Sequence, residues 1–241
     1  MVYIVRNFFK AIWQVTKGGI GYYVWIAFLL SLIGLGIKTY LDQYEHGLII
    51  TAMRDQVPWG FYISNFTFLV GVAAAAVLLV VPAYLYNFKP IKEIVLFGEM
   101  VAITAVTMCI MFIMVDLGHP LRVWHLLPIV GTMNFPASML AWDVLVLSGY
   151  LFINIILVFY ALYKLSLSKE YSLSMIWPLI LLSIPWAVSI HTVTAFLYNG
   201  FPSRPFWNAS ILAPRFLASA FCSGPAIMLI LFQVIRKLTK I

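Results

Sequence analysis

Residues 115–128 read VDLGHPLRVWHLLP, which gathers Asp116, His119, Arg122 and His125 within ten positions. Side chains of these types bind polar head groups, exchange protons or pair as ions. Here they lie between two stretches apolar enough to span a membrane. Three other polar residues interrupt such stretches: Asn65, Asp143 beside Trp142, and His191. Ionisable groups at membrane depth are costly and are functional candidates by default. Asn65 is six residues into its apolar segment, about 9 Å at 1.5 Å per residue. Asp143 is about five residues into its own, and His191 about seven from the end of another. Three helices would then place polar groups at one level, with the loop 116–125 as its cap. Apolar walls, a few polar contacts and an opening to lipid suit an amphipathic head group. Each residue also has a plainer reading. Asn65 would bond a neighbouring helix, and Asp143 would be a helix-start carboxylate favoured by the dipole. His191 would be a satisfied bundle histidine, and Asp116 with Arg122 a loop ion pair. Their shared depth favours the joint site.

Glu99 is at a different depth, about seven residues from the opposite end of its segment. A lone intramembrane glutamate takes a partner, a water or a proton. Thr104 and Thr107 follow on the same segment and would hold bridging water, which marks a candidate proton route. The alternative is a glutamate pairing with a lysine near the surface. Among the four histidines only His191 is well inside a segment, so a di-haem site, which needs facing histidines, is not expected. No two ligands share helical spacing within a segment, so no metal site is expected. Cys109 and Cys222 lie in apolar stretches without a CxxC, read as small buried hydrophobes with no iron–sulfur cluster in this chain.

These residues need elements to position them. The chain has 241 residues, 63% hydrophobic, 16% aromatic and 10% charged. Soluble domains carry about 25% charged residues, so an ordinary soluble enzyme is excluded. The expected fold class is all-α, a polytopic transmembrane helix bundle. Six spans are predicted at 20–41, 59–86, 92–115, 138–164, 173–198 and 213–235. Pro82 and Pro185 fall inside two of them, as kinks that neighbouring helices tolerate. Residues 1–19 read as an interfacial amphipathic segment, and 20–241 as the bundle.

The net charge of +7 comes from basic residues flanking the apolar segments. That pattern concerns orientation in a lipid membrane rather than nucleic acid. Arg6, Lys10, Lys17, Lys89, Lys92, Lys164, Lys169, Arg236, Lys237 and Lys240 fall on one side; Lys38, Arg54, Arg122, Arg204 and Arg215 fall on the other. The first side is read as cytoplasmic, with both termini inside and a multi-pass protein in the cytoplasmic (inner) membrane. The loops 42–58, 116–136 and 199–212 then face out. Their Trp124, Phe135, Phe201, Phe206 and Trp207 suit either a docked partner or an interfacial aromatic belt.

Five ordered blocks resemble a known family: DQVPWGFYISNFTFLVGVAAAAVLLVVPAYLY, FGEMVAITAV, VDLGHPLRVWHLLP, MNFPASMLAWDVLVLSGY and SRPFWNASILAPRFLASAFCSGPA. They are similar to the NrfD/PsrC family of quinone-interacting membrane subunits of iron–sulfur redox complexes, over about residues 45–236. Within it the likeness is nearest to DsrP-type subunits, with HmcC-like and HybB-like relatives. The resemblance implies a helical bundle without a cofactor of its own, a menaquinone site and a ferredoxin-like iron–sulfur subunit on the outer face. It also implies other membrane subunits and a proton route toward the cytoplasm. The family pattern carries over to Trp59, Gly60 and Asn65; to Asp116, Gly118, Pro120 and Arg122; to Ser138, Trp142 and Asp143; and to His191, Arg204 and Trp207. Glu99 matches the polar position of the third span. The quinone site is thus expected to comprise Trp59, Asn65, Asp116, His119, Arg122, Trp142, Asp143 and His191. Family members carry about eight to ten spans and this sequence reads as six, so either further C-terminal spans lie outside it or the protein is a shortened member. Two rival readings are a secondary transporter of a small solute, against which the missing internal repeat counts, and a structural anchor for a peripheral redox enzyme.

Overall fold

The computed structural model describes residues 13, 16–92, 94–127, 129–167, 173–201 and 204–239. Most of the predicted segment 1–19, Glu93 and most of the basic connection 165–172 lie outside the described residues. The chain divides into two compact units, 1–52 and 53–241. The first contains helix α1 (Ile20–His46) and a 3₁₀ turn at Leu48–Ile50. α1 is apolar on every side, and Gln43 is its one buried residue. It continues five residues past its predicted end at 41, because polar side chains do not stop a helix. Gly47 stops it, at φ +77°, a conformation open to glycine.

The second unit holds α2 (Phe61–Ala75), α3 (Val77–Val80), α4 (Lys89–Lys92), α5 (Val95–Asp116), α6 (Met139–Ser166), α7 (Leu173–Asn199) and α8 (Leu212–Thr239). α2 and α3 run on into a π turn at Val81–Leu85, which contains Pro82. Proline has no N–H to donate, so the ladder widens locally. Tyr86 N–H reaches back to Val81 O at 3.4 Å and Phe88 N–H to Pro82 O at 3.0 Å. Pro178 and Pro185 are absorbed within α7, and Pro225 within α8. The Ser138 side chain caps α6 by accepting from Ala141 N–H at 3.3 Å. Among the described residues, six helical stretches are long and apolar enough to cross a membrane: Ile20–His46, Phe61–Leu85, Val95–Asp116, Met139–Leu165, Met175–Asn199 and Leu212–Leu238. The all-helical expectation holds for the described residues, which contain one isolated β-bridge, Arg54–Val57, and no strand.

Within the second unit α2, α5, α6, α7 and α8 close a ring in that order, and α2 also meets α7 across it. α2 buries every residue from Val70 to Ala75. Its small residues let backbones approach closely, the usual basis of helix association in lipid, where apolar burial supplies little. At Gly224 of α8 an added Cβ would stand 2.0 Å from Ala75 Cβ and 3.2 Å from Gly71 O. Cys109 is buried in the core, but Cys222 is exposed, on the side of α8 away from Ala220. The expectation that both cysteines are buried therefore fails at Cys222.

Candidate functional site

A cavity of about 370 Å³ opens between α2, α7 and α8. Ser64, Thr67, Phe68 and Gly71 line it from α2, at intervals that keep them on one helical face. His191 and Tyr198, seven apart, line it from α7, and Phe216, Ser219, Ala220 and Ser223 from α8, with Trp207 from the loop between. Aromatic and apolar walls with a few polar groups are the usual make-up of a small-molecule site, and the volume lies in the usual range.

His191 is 2% exposed. Its Nδ1 lies 3.3 Å from Ala187 O. A carbonyl only accepts, so Nδ1 carries the proton, and Nε2 of the neutral ring is an acceptor. Among the described residues no hydrogen-bond partner reaches that Nε2. Tyr198 contributes a hydroxyl that donates to Ile63 O at 3.3 Å and also contacts the Thr67 hydroxyl. Thr67 itself donates to Ile63 O at 2.9 Å. Trp59 packs against this corner, edge-on to Tyr198 and tilted to Phe201 and Trp207. Its ring centroid is 4.9 Å from Tyr198, 4.0 Å from Phe201 and 6.0 Å from Trp207. Arg204 lies over the Trp207 ring at 5.7 Å.

Asp143 is fully buried and accepts from Thr194 Oγ1 at 3.1 Å; its second oxygen has no partner among the described residues. Thr194 is one helical turn from His191, so α7 presents both the cavity histidine and the donor that holds Asp143. The structure thus brings Trp59, His191 and Asp143 to one region. Other predicted residues go elsewhere. Asn65 is not in the cavity wall: its Nδ2 donates to Phe61 O of its own helix at 2.8 Å, rather than to a neighbour. Trp142 Nε1 donates to Pro136 O at 2.9 Å, and its ring packs on Phe135. His119 and Arg122 are exposed on the 3₁₀ loop segment. Asp116 ends α5 with one oxygen buried and unpartnered, and it forms no ion pair with Arg122 among the described residues. Phe201 and Trp207 pack inward on Trp59, whereas Trp124, Phe135 and Phe206 are exposed.

Glu99 is 1% exposed, and its Oε1 has no partner among the described residues. Thr104 and Thr107 do not continue a path from it. Both are exposed, and both hydroxyls donate to their own helix, at Val101 O and Ile103 O. At about 100° per residue, Thr104 is turned roughly 140° around the helix from Glu99. Inward-facing polar groups near the middle of the bundle are Tyr150, which donates to Ala73 O at 3.2 Å, and Asn154, which donates to Tyr150 O at 2.8 Å. Sequence reasoning also passed over Ser64, Thr67, Thr194, Tyr198, Ser219 and Ser223. Their signal was polar residues repeating every three or four positions inside apolar runs.

Among known proteins, the model for the family described as polysulphide reductase, NrfD, matches residues 50–240, nearly all of the second unit. A selenate reductase subunit from Mesobacillus selenatarsenatis is 24% identical over 238 residues, 85% of this chain and 55% of that one. A putative dimethyl sulfoxide reductase membrane subunit from Halobacterium salinarum is 25% identical over 222 residues, 86% and 50% of the two chains. The Hdr-like menaquinol oxidoreductase integral membrane subunit of Archaeoglobus fulgidus is 22% identical over 227 residues, 94% and 54%. The chain spans about half the length of the curated relatives it matches. With 50–240 matched across a six-span helical chain, it belongs to the polysulphide reductase NrfD family.

Proposed function

We propose that this chain is the quinone-binding membrane subunit of a redox complex, exchanging electrons between menaquinone and an iron–sulfur subunit docked at the outer face. The observation that carries this reading is the cavity between α2, α7 and α8, with His191 on α7 and the Tyr198–Thr67 pair between α7 and α2 set among aromatic and apolar side chains. The named relatives support it, since two are reductase subunits and one a menaquinol oxidoreductase subunit. The finer likeness to DsrP-type subunits rests on the five sequence blocks alone.

The residues fit a naphthoquinone head group. Phe68, Trp207 and Phe216 offer faces to a flat ring, and His191 and the hydroxyl pair offer polar atoms to its two oxygens. When bound, a quinone–quinol pair carries two electrons and two protons. His191 Nε2 is the protein's first proton acceptor or, once protonated, donor. Asp143, which accepts from Thr194 one turn along α7 from His191, is a second place for a proton. Asn65, Asp116, His119, Arg122 and Trp142 do not line this cavity.

The bias of basic residues supports an inner-membrane orientation with both termini in the cytoplasm. The exposed Trp124, Phe135 and Phe206 then belong to the surface that meets the iron–sulfur partner. Glu99 is proposed as a proton-carrying group in the inner half of the bundle. The test is menaquinol-linked turnover by the whole complex in nanodiscs with His191→Ala or Phe216→Ala. A fall of about tenfold or more in kcat/KM is expected, roughly 1.4 kcal/mol at the transition state. Unchanged turnover in both, with the complex intact, would leave the chain a structural anchor.

A further inference from the structure

The hydrogen-bonding atoms of the cavity are not symmetric, and their asymmetry selects an oxidation state. At one point is His191 Nε2, fixed as an acceptor because Nδ1 donates to Ala187 O. No donor from the described residues reaches it. At another point two hydroxyls, Tyr198 and Thr67, converge on one backbone carbonyl, Ile63 O, and on each other. Two hydrogens serve one carbonyl. Either hydroxyl can therefore turn away from Ile63 O while the other keeps that oxygen satisfied. Beside the lining Ser219 hydroxyl and Trp207 N–H, the cavity has a spare donor at this pair, and its buried unmet acceptor among the described residues is His191 Nε2.

The two forms of the ligand differ in what they can supply. A quinone carries two carbonyl oxygens, both acceptors only. One of them can accept from the Tyr198–Thr67 pair, but the other meets the lone pair of Nε2. A hydroquinone carries two hydroxyls, each both donor and acceptor. One can accept from the spare hydroxyl, and the other can donate to Nε2. We propose that this cavity binds the hydroquinone form of its ligand in preference to the quinone form. The inference rests on the quinone-site reading above and adds the oxidation state of the preferred ligand. Leaving one buried acceptor unmet, against satisfying it, corresponds to a preference of about tenfold or more.

The test uses the whole complex in nanodiscs under anaerobic equilibrium dialysis, with menadiol and menadione as tail-free probes. The menadiol arm is held reduced with dithionite and the menadione arm oxidised with ferricyanide, so no turnover occurs. Menadiol is expected to bind about tenfold more tightly or better. In His191→Gln the side-chain amide can present either a donor or an acceptor, so the two affinities should converge. In Tyr198→Phe the spare donor is lost to both forms, so both affinities should fall while their ratio stays. Equal binding in the unaltered complex, or tighter menadione binding, overturns the preference but leaves a quinone site in place. A Tyr198→Phe complex whose ratio collapses also overturns it, since the discrimination would then not lie at His191. Binding of neither probe overturns the quinone-site reading itself.

Discussion

Replacing Gly224 with alanine should push α8 away from α2 and loosen the cavity above the contact. The added Cβ would stand 2.0 Å from Ala75 Cβ, and it would also crowd Gly71 O at 3.2 Å and Ala75 Cα at 3.3 Å. Carbon atoms rest about 3.5–4.0 Å apart, so relieving the closest clash needs roughly 1.5–2 Å of displacement. A rotamer change cannot supply this, because Ala75 Cβ is fixed to its backbone and fully buried. Gly98 offers a contrast, since its nearest neighbour at 2.6 Å is the movable end of Leu79. Overpacking of this kind costs about 1–3 kcal/mol. Ser64, Thr67 and Gly71 lie on one displaced wall and Ser219, Ala220 and Ser223 on the other, so quinone affinity should fall with stability. Ala75→Gly removes the clashing atom. In the Gly224→Ala background it should restore most of the loss, less about 0.5–1 kcal/mol for glycine within a helix. The assay is reversible unfolding in mixed micelles over the four members of this double-mutant cycle. Gly224→Ala as stable as the unaltered protein, or a double variant no better than Gly224→Ala alone, would refute the close-packing argument. Gly34→Ala, where nothing lies within 4 Å, serves as the control and should shift stability by no more than about 1 kcal/mol.

Thr194→Val strips from the buried Asp143 carboxyl the one hydrogen bond it accepts among the described residues, and should cost about 1–3 kcal/mol. Asp143→Leu with Thr194→Val should cost less than Thr194→Val alone, and denaturant midpoints that order the other way count against the buried-carboxylate argument. Glu99→Gln should leave the fold and quinone binding intact but slow proton-coupled turnover. Joint measurement of electron transfer and proton movement in vesicles, unchanged in the variant, would end its proposed role. For orientation, a thiol reagent applied from outside should label Ile50→Cys but not Ser168→Cys, and the reverse pattern would invert the assigned topology.

The spans were readable because apolar runs of twenty or more residues have few other uses, and the turn at Gly47 moved one end by a few residues. Asp143 and His191 were readable because a charge or imidazole inside such a run is costly. The cavity itself was not. Ser64, Thr67, Ser219 and Ser223 stand at helical spacing, but hydroxyls in membrane helices often bond their own backbone, as Ser64 and Ser223 do here. Spacing therefore gives a face without saying which helix it meets. The reverse error occurred at Thr104 and Thr107, where depth along the helix was weighed and rotation around it was not. Asn65 shows a third limit. An amide one residue from the lining Ser64 can turn back on Phe61 O, and no pattern in the chain announces that choice.

The buried run from Val70 to Ala75 has a consequence in entropy. Glycine and alanine have no side-chain rotamers to surrender when they are packed, whereas a buried leucine or methionine gives up about 0.5–2 kcal/mol of freedom. The joint between α2 and α8 therefore forms at close to the least ordering cost available to two helices. The ordering cost falls instead on Trp59, Tyr198 and Trp207, the large rings at the loop end, whose torsions freeze when the cavity corner closes. The helix spacing is thus set by a joint that costs little side-chain entropy, and the rotamer cost of forming the site is concentrated in the aromatic corner.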